Sequence, residues 1–113
     1  MTAQAVVTPE CINLNNMLHG GYSATLFDHL STLALRSYFI ADDKVVPTSV
    51  SVEISLSYIS GVKEGQTIIL ETEAIKIGNK MAFLKGEIYN KSDSNKLAVT
   101  GKHTKYLMFP SSK

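Results

Sequence analysis

The residues of this sequence whose types and spacing could do chemistry run from Asn13 through Leu14-Asn15-Asn16-Met17-Leu18-His19 to Gly20-Gly21, with Asp28 eight positions after Gly20. Two adjacent glycines at the start of a helix cost about 1 kcal/mol each against alanine. They make sense where a ligand must come close to the backbone. The first turn of a helix carries N–H groups without intrahelical partners and a partial positive charge. A bare N–H there can polarise a carbonyl on its way to an oxyanion. Asp28 stands beside Leu26, Phe27 and Leu30, where a carboxylate can serve as a general base. Taken singly, His19-Gly20-Gly21 also fits a permissive turn, and Asp28 a solvent-facing helix position. Eight helical residues span roughly 12 Å, so Gly20 and Asp28 of one helix cannot both touch one carbonyl carbon and its attacking water. If both act, they come from two subunits whose helices pass antiparallel, which predicts a symmetric dimer with two equivalent sites.

The elements that must position these groups are legible as changes of period. Gly20 to Ile40 reads as one long helix, with Leu26, Phe27, Leu30, Leu33, Ala34 and Tyr38 forming an apolar stripe. The polar break Ala41-Asp42-Asp43-Lys44 and then Pro47 end it. Beyond Pro47 the period becomes two: Val50, Val52, Ile54 and Leu56 alternate with Ser51, Glu53, Ser55 and Ser57, as in a half-buried strand. Gly61 and Gly65 frame a loop. Further strands are expected over Thr67 to Ile77, Met81 to Asn90 and Leu97 to Met108, with a tight connection at Gly78-Asn79-Lys80. A short strand around Gln4 to Val7 precedes them. One long helix and a meander of long strands make an α+β domain, a curved antiparallel sheet wrapped around a central helix, which is the hotdog fold. Element order alone also permits other α+β sheets, such as a cystatin-like one.

The chain has 113 residues, 44% hydrophobic and 19% charged, consistent with one domain over residues 1–113. A net charge of +1 without charge runs argues against a nucleic-acid surface. The single cysteine, Cys11, permits neither an intrachain disulfide nor a cysteine metal cluster, and it carries no partner signature for a nucleophile. His29 and His103 lack metal-ligand spacing and read as structural. No apolar stretch approaches a membrane span, and Met1 to Pro9 shows neither a signal nor a transit pattern. A reducing compartment, cytoplasmic or mitochondrial, is the expectation.

The run from Asn13 to Asp28 resembles the catalytic segment of the hotdog-fold thioesterases, and more narrowly their phenylacetate-degradation-type branch. The resemblance continues through Ser49-Val50-Ser51-Val52, Ser57-Tyr58-Ile59, Gly78-Asn79-Lys80-Met81-Ala82-Phe83 and Gly101-Lys102-His103-Thr104-Lys105. It implies hydrolysis of acyl-CoA, of medium to long chain, by a homodimer or dimer of dimers, with no metal and no cofactor beyond the coenzyme A of the substrate. It also implies that the Gly20 N–H and the Asn13 side chain hold the thioester carbonyl oxygen. Asp28, helped by the Ser51 hydroxyl, would then activate the water. His19 is expected to shape the loop beside Gly21 at the substrate. Ser51, Tyr58, Lys76 and Tyr106 match positions that contact the nucleotide or pantetheine arm, and Lys80, Lys102 and Lys105 add cations on or near the ends of the last three strands. Relatives carry an N-terminal helix and a further strand before this loop, whereas Asn13 is preceded here by twelve residues, so either the sequence is trimmed or the sheet is one strand short. Asn16 stands where relatives often have glycine, and asparagine tolerates a left-handed backbone there. The competing readings are a hotdog hydratase with a histidine-centred site, a non-catalytic acyl-CoA binder and a structural interaction module.

Overall fold

The structure, a computed structural model, describes residues 1–110, so the last three positions of the expected 1–113 domain lie outside the described residues. Six main elements follow in order: β1 (Thr2–Val6), α1 (Gly20–Ala41), β2 (Thr48–Tyr58), β3 (Thr67–Ile77), β4 (Met81–Asn90) and β5 (Lys96–Met108). The strands form one antiparallel sheet in the order β1-β3-β4-β5-β2, with α1 lying across its inner face. This is the α+β, helix-in-sheet arrangement that the change of period predicts. The early strand falls at Thr2–Val6, two residues before the Gln4–Val7 expected, and pairs with β3 from Thr2↔Glu71 to Val6↔Thr67.

The core has two parts. The N-terminal half of α1 packs Phe27 and Leu30 with Val7, Val62, Ile68, Leu70 and Ile88. The C-terminal half packs Leu35 and Phe39 with Ala82, Leu84 and Leu107. A Phe or Leu side chain taken fully out of water contributes about 1.5–3 kcal/mol. Close approach of helix and sheet depends on Gly86, where an added Cβ would collide with the Phe27 ring and the Glu71 carbonyl oxygen. No helix among the described residues is long and apolar enough to cross a membrane.

Two sequence expectations are corrected. On α1 the buried positions are Ser23, Phe27, Leu30, Ser31, Leu35 and Phe39, whereas Leu33, placed on the expected stripe, is 50% exposed and Tyr38 is also exposed. The core-facing line includes two serines, small enough for the sheet to come near, and a count of apolar residues passes over them. On β2 the expected alternation puts Val50 and Val52 on the buried face, yet they are 48% and 57% exposed. The register with β5 shifts between Ser51 and Glu53: Ser51 pairs with Lys105, but Glu53 pairs with Thr104. One extra residue in a strand reverses which face its side chains occupy. Ser49 and Ser51 therefore share the inner-face register of Leu107 and Lys105, and beyond the bulge Ile54 takes that of His103.

Candidate active site

The loop before α1 is built around Asn13. Its Oδ1 accepts the N–H groups of Asn15 at 2.9 Å and Met17 at 3.2 Å, and its own N–H donates to the Met17 carbonyl at 2.8 Å. With both backbone donors on Oδ1, the Nδ2 end of the amide is left to donate outward. Asn16 takes the left-handed backbone at φ 60°, as expected for asparagine at that place. His19 is the N-cap of α1: its Nδ1 accepts the Gly21 N–H at 2.9 Å, which fixes the loop at the helix start. Gly20, the first residue of the helix, has no carbonyl one turn back inside the helix. The Tyr58 hydroxyl, from the end of β2, donates to the Gly20 carbonyl at 2.9 Å, and a Cβ on Gly20 would press on the Tyr58 ring at 3.2 Å. Asn13, Gly20 and Tyr58 thus border one cavity of about 320 Å³, completed by apolar Met17, Leu18 and Val62.

Two turns along α1 stands Asp28, its side chain 47% exposed. Beside it the fully buried His103 of β5 is held at both ring nitrogens, Nδ1 to Ser31 Oγ at 2.8 Å and Nε2 to Ser51 Oγ at 2.8 Å. The Asp28 carboxylate comes to 3.8 Å from Nε2, beyond hydrogen-bond range. The Ser31 hydroxyl donates to the Asp28 carbonyl at 3.2 Å, so its oxygen accepts from Nδ1–H. In the neutral ring Nε2 is then the acceptor, and the Ser51 hydroxyl donates to it. The Ser51 oxygen is left as an acceptor beside the Asp28 carboxylate. Both ring nitrogens are committed to serines, so His103 is not free to take a proton from a substrate carbon.

A profile of the thioesterase superfamily matches residues 15–96. The chain belongs to the thioesterase superfamily. Acyl-coenzyme A thioesterase 13 of Homo sapiens is 37% identical over 101 residues, which are 89% of this chain and 68% of the human protein. Among solved structures, thioesterase superfamily member 2 from Mus musculus superposes with a TM-score of 0.83 at 33% identity, covering 94% of this chain and 79% of the mouse chain. The zebra fish thioesterase superfamily member 2 gives 0.82 at 31% identity, covering 94% and 72%.

In this member of the thioesterase superfamily the expected site residues fall into three places. Asn13, His19, Gly20, Gly21 and Tyr58 gather at the helix start, while Asp28 and Ser51 gather at His103. Lys76, Lys80 and Tyr106 lie elsewhere, exposed at the end of the sheet that packs on the C-terminal half of α1. Within one chain they do not border the Gly20 cavity. Sequence reasoning leaves out Ser31 and Thr32, groups Lys105 with the cations for coenzyme A although it is buried on the inner face, and takes His103 as merely structural. The available signal was the period-two pair His103 and Lys105, two polar residues on one phase of β5, which on a buried face must be partnered.

Burial pushes the His103 ring below the ordinary imidazole range, the Lys105 ammonium adds to this, and the Asp28 carboxylate opposes it. Between that depressed value and the ordinary value of about 6.5 the folded thioesterase chain binds fewer protons than the unfolded one. The contribution of this ring to stability is therefore complete above the window and is lost as pH falls through it. The urea midpoint of the wild type is expected to drop more between about pH 7 and about pH 5 than that of His103→Gln, which cannot titrate. Parallel pH curves for the two proteins would show that the ring does not carry the effect.

Proposed function

We propose that this chain hydrolyses acyl-CoA thioesters to free acid and coenzyme A at a site shared by two copies of itself. The observation that carries the reading is the division of the polar groups along α1. The Gly20 N–H and the outward amide end of Asn13 stand at its first turn, and a carboxylate with a serine beside it stands two turns later. In the reaction the thioester carbonyl oxygen accepts from the Gly20 N–H and from Asn13 Nδ2. A water donates one hydrogen to the Asp28 carboxylate and the other to the Ser51 oxygen, which aims its lone pair at the carbonyl carbon. Attack forms a tetrahedral oxyanion stabilised by the two donors. Its collapse breaks the C–S bond, and the proton taken by Asp28 passes to the departing thiolate.

The edge strand supports the shared site. β2 is eleven residues long, lies at the end of the sheet order and exposes Val50, Val52 and Ile54. An edge of that length and apolarity invites pairing. Two copies placed antiparallel about a two-fold axis would set the first turn of one helix near Asp28 of the other. The same operation would carry Lys76, Lys80 and Tyr106 of one copy toward the Gly20 cavity of the other, where they would suit the phosphates and pantetheine of coenzyme A. The apolar lining from Met17, Leu18 and Val62 suits an alkyl chain, and the resemblance points to medium and long acyl groups.

The test is release of free thiol from acyl-CoAs of graded chain length, beside sedimentation of the same sample. Saturable hydrolysis by a dimer or larger assembly, rising with chain length, is expected. A folded assembly that binds acyl-CoA and releases no thiol would replace the hydrolase with a non-catalytic binder.

A further inference from the structure

Lys105 is the charged side chain that neither the fold nor the reaction above uses. It lies on the inner face of β5, paired with Ser51 on one side and Ala82 on the other, and is only 4% exposed. Its Nζ donates to Thr32 Oγ1 at 2.7 Å, and among the described residues no carboxylate comes within ion-pair distance, although Asp28 acts on it from farther away and partly offsets the effect of burial. Burying an ammonium is costly unless its charge is used, and one neutral hydroxyl offsets little of that cost. Methionine or leucine would fill the same space more cheaply. Two features of its placement bear on the site. Thr32 is one helical turn beyond Asp28, and His103 is the next inner-face residue along β5. The cation is thus fixed beside the Ser31–His103–Ser51 chain.

We propose that Lys105 is a positioning residue: its ammonium, anchored on Thr32, keeps His103 neutral and so sets the Ser51 oxygen as an acceptor for the attacking water. The charge acts by disfavouring a second positive charge on the neighbouring ring. Were His103 protonated, Nε2–H would donate to Ser51, and the Ser51 hydroxyl would have to donate to the water or to Asp28. A hydrogen given to the water would turn its lone pair from the carbonyl carbon, and one given to Asp28 would occupy the carboxylate that must act as its base. The groups that face the ring bear this out. From α1 it meets Asp28, which favours its protonation, and from β5 it meets Lys105, which opposes it. Its neighbours in register, Ile54 on β2 and Leu84 on β4, carry no charge. Without Lys105, burial alone would oppose the Asp28 carboxylate at the ring.

This inference rests on the hydrolase reading for its consequence, and its test separates the two. Nitrogen-15 spectra of the intact protein report the tautomer and titration of each of its three histidines, with His103 assigned by the loss of its signals in His103→Gln. In wild type His103 should stay neutral, with the proton on Nδ1, as the pH falls through the ordinary imidazole value of about 6.5. In Lys105→Met its titration should move up, and kcat/KM should fall about tenfold on the acid side while changing little above pH 8. Lys105→Arg, which keeps the charge, should restore both readouts toward wild type. Thr32→Val, which frees the ammonium without removing it, should move both in the same direction by less, and it serves should Lys105→Met not fold. An unchanged His103 titration in either folded variant overturns the proposal. A shifted titration in a protein that hydrolyses no thioester upholds the link from Lys105 to His103 and removes only the hydrolase reading.

Discussion

Asp28→Asn is expected to lower kcat for acyl-CoA hydrolysis by about 10²–10⁴-fold, the range a positioned general base contributes. The amide has the shape of the carboxylate, but it cannot take the proton of the water or carry the negative charge that holds that water. The fold should survive the change. The Asp28 side chain is half exposed, and His103 takes its hydrogen bonds from Ser31 and Ser51 rather than from this carboxylate. KM is expected to move little, because the lost interaction belongs to the step that attacks the carbonyl and not to the binding of coenzyme A. Thiol release under saturating acyl-CoA measures the effect directly. Hydrolysis within a few fold of wild type would show that the aspartate is not the base.

Asn13→Asp is expected to cost about 10²–10³-fold in kcat, the usual loss when one donor to an oxyanion is removed. This substitution is chosen over alanine because of what Asn13 does in its loop. Oδ1 receives the Asn15 and Met17 N–H groups, and an aspartate oxygen can go on receiving them. What disappears is the Nδ2 donor, and a negative charge arrives where the oxyanion must form. The loop is kept while the chemistry is lost, and the circular dichroism and melting of the variant should match wild type. A further consequence follows from pairing the two variants. If Asn13 and Asp28 of each site come from different copies, co-refolded Asn13→Asp and Asp28→Asn chains form mixed dimers with one intact site each. Activity should then recover to about a quarter of wild type, since half of randomly paired dimers are mixed and each has one of two sites. No recovery in a demonstrably mixed population would place both residues of a site in one chain.

How much of this was legible in the sequence differs from one element to the next. The long helix and the four strands of the meander announced themselves because backbone geometry imposes periods of 3.6 and 2 on any segment with one face in a core. The helix start was readable at Asn13, His19, Gly20 and Gly21, since capping and left-handed turns need particular residue types at local spacing, and the observed contacts of this loop are almost all local. The distance between Gly20 and Asp28 was also readable, because a helix fixes its own rise per residue. By itself, then, the sequence determined the fold class, the capped loop at the helix start and the separation of that loop from Asp28.

What only the tertiary structure decided was everything that depends on register between elements far apart in the chain. The bulge at Val52 reverses the faces of β2 and turns Ser51 inward, and no local preference of Val52 gives notice of it. The partnership of Ser31, Ser51 and His103 joins residues up to 72 positions apart, so it exists only once α1, β2 and β5 are stacked. The same stacking turns Lys105, which reads as an ordinary surface lysine, into a buried cation beside the site. Local spacing specifies what a segment does with its own backbone, whereas strand register and helix-on-sheet packing are settled by the whole core together.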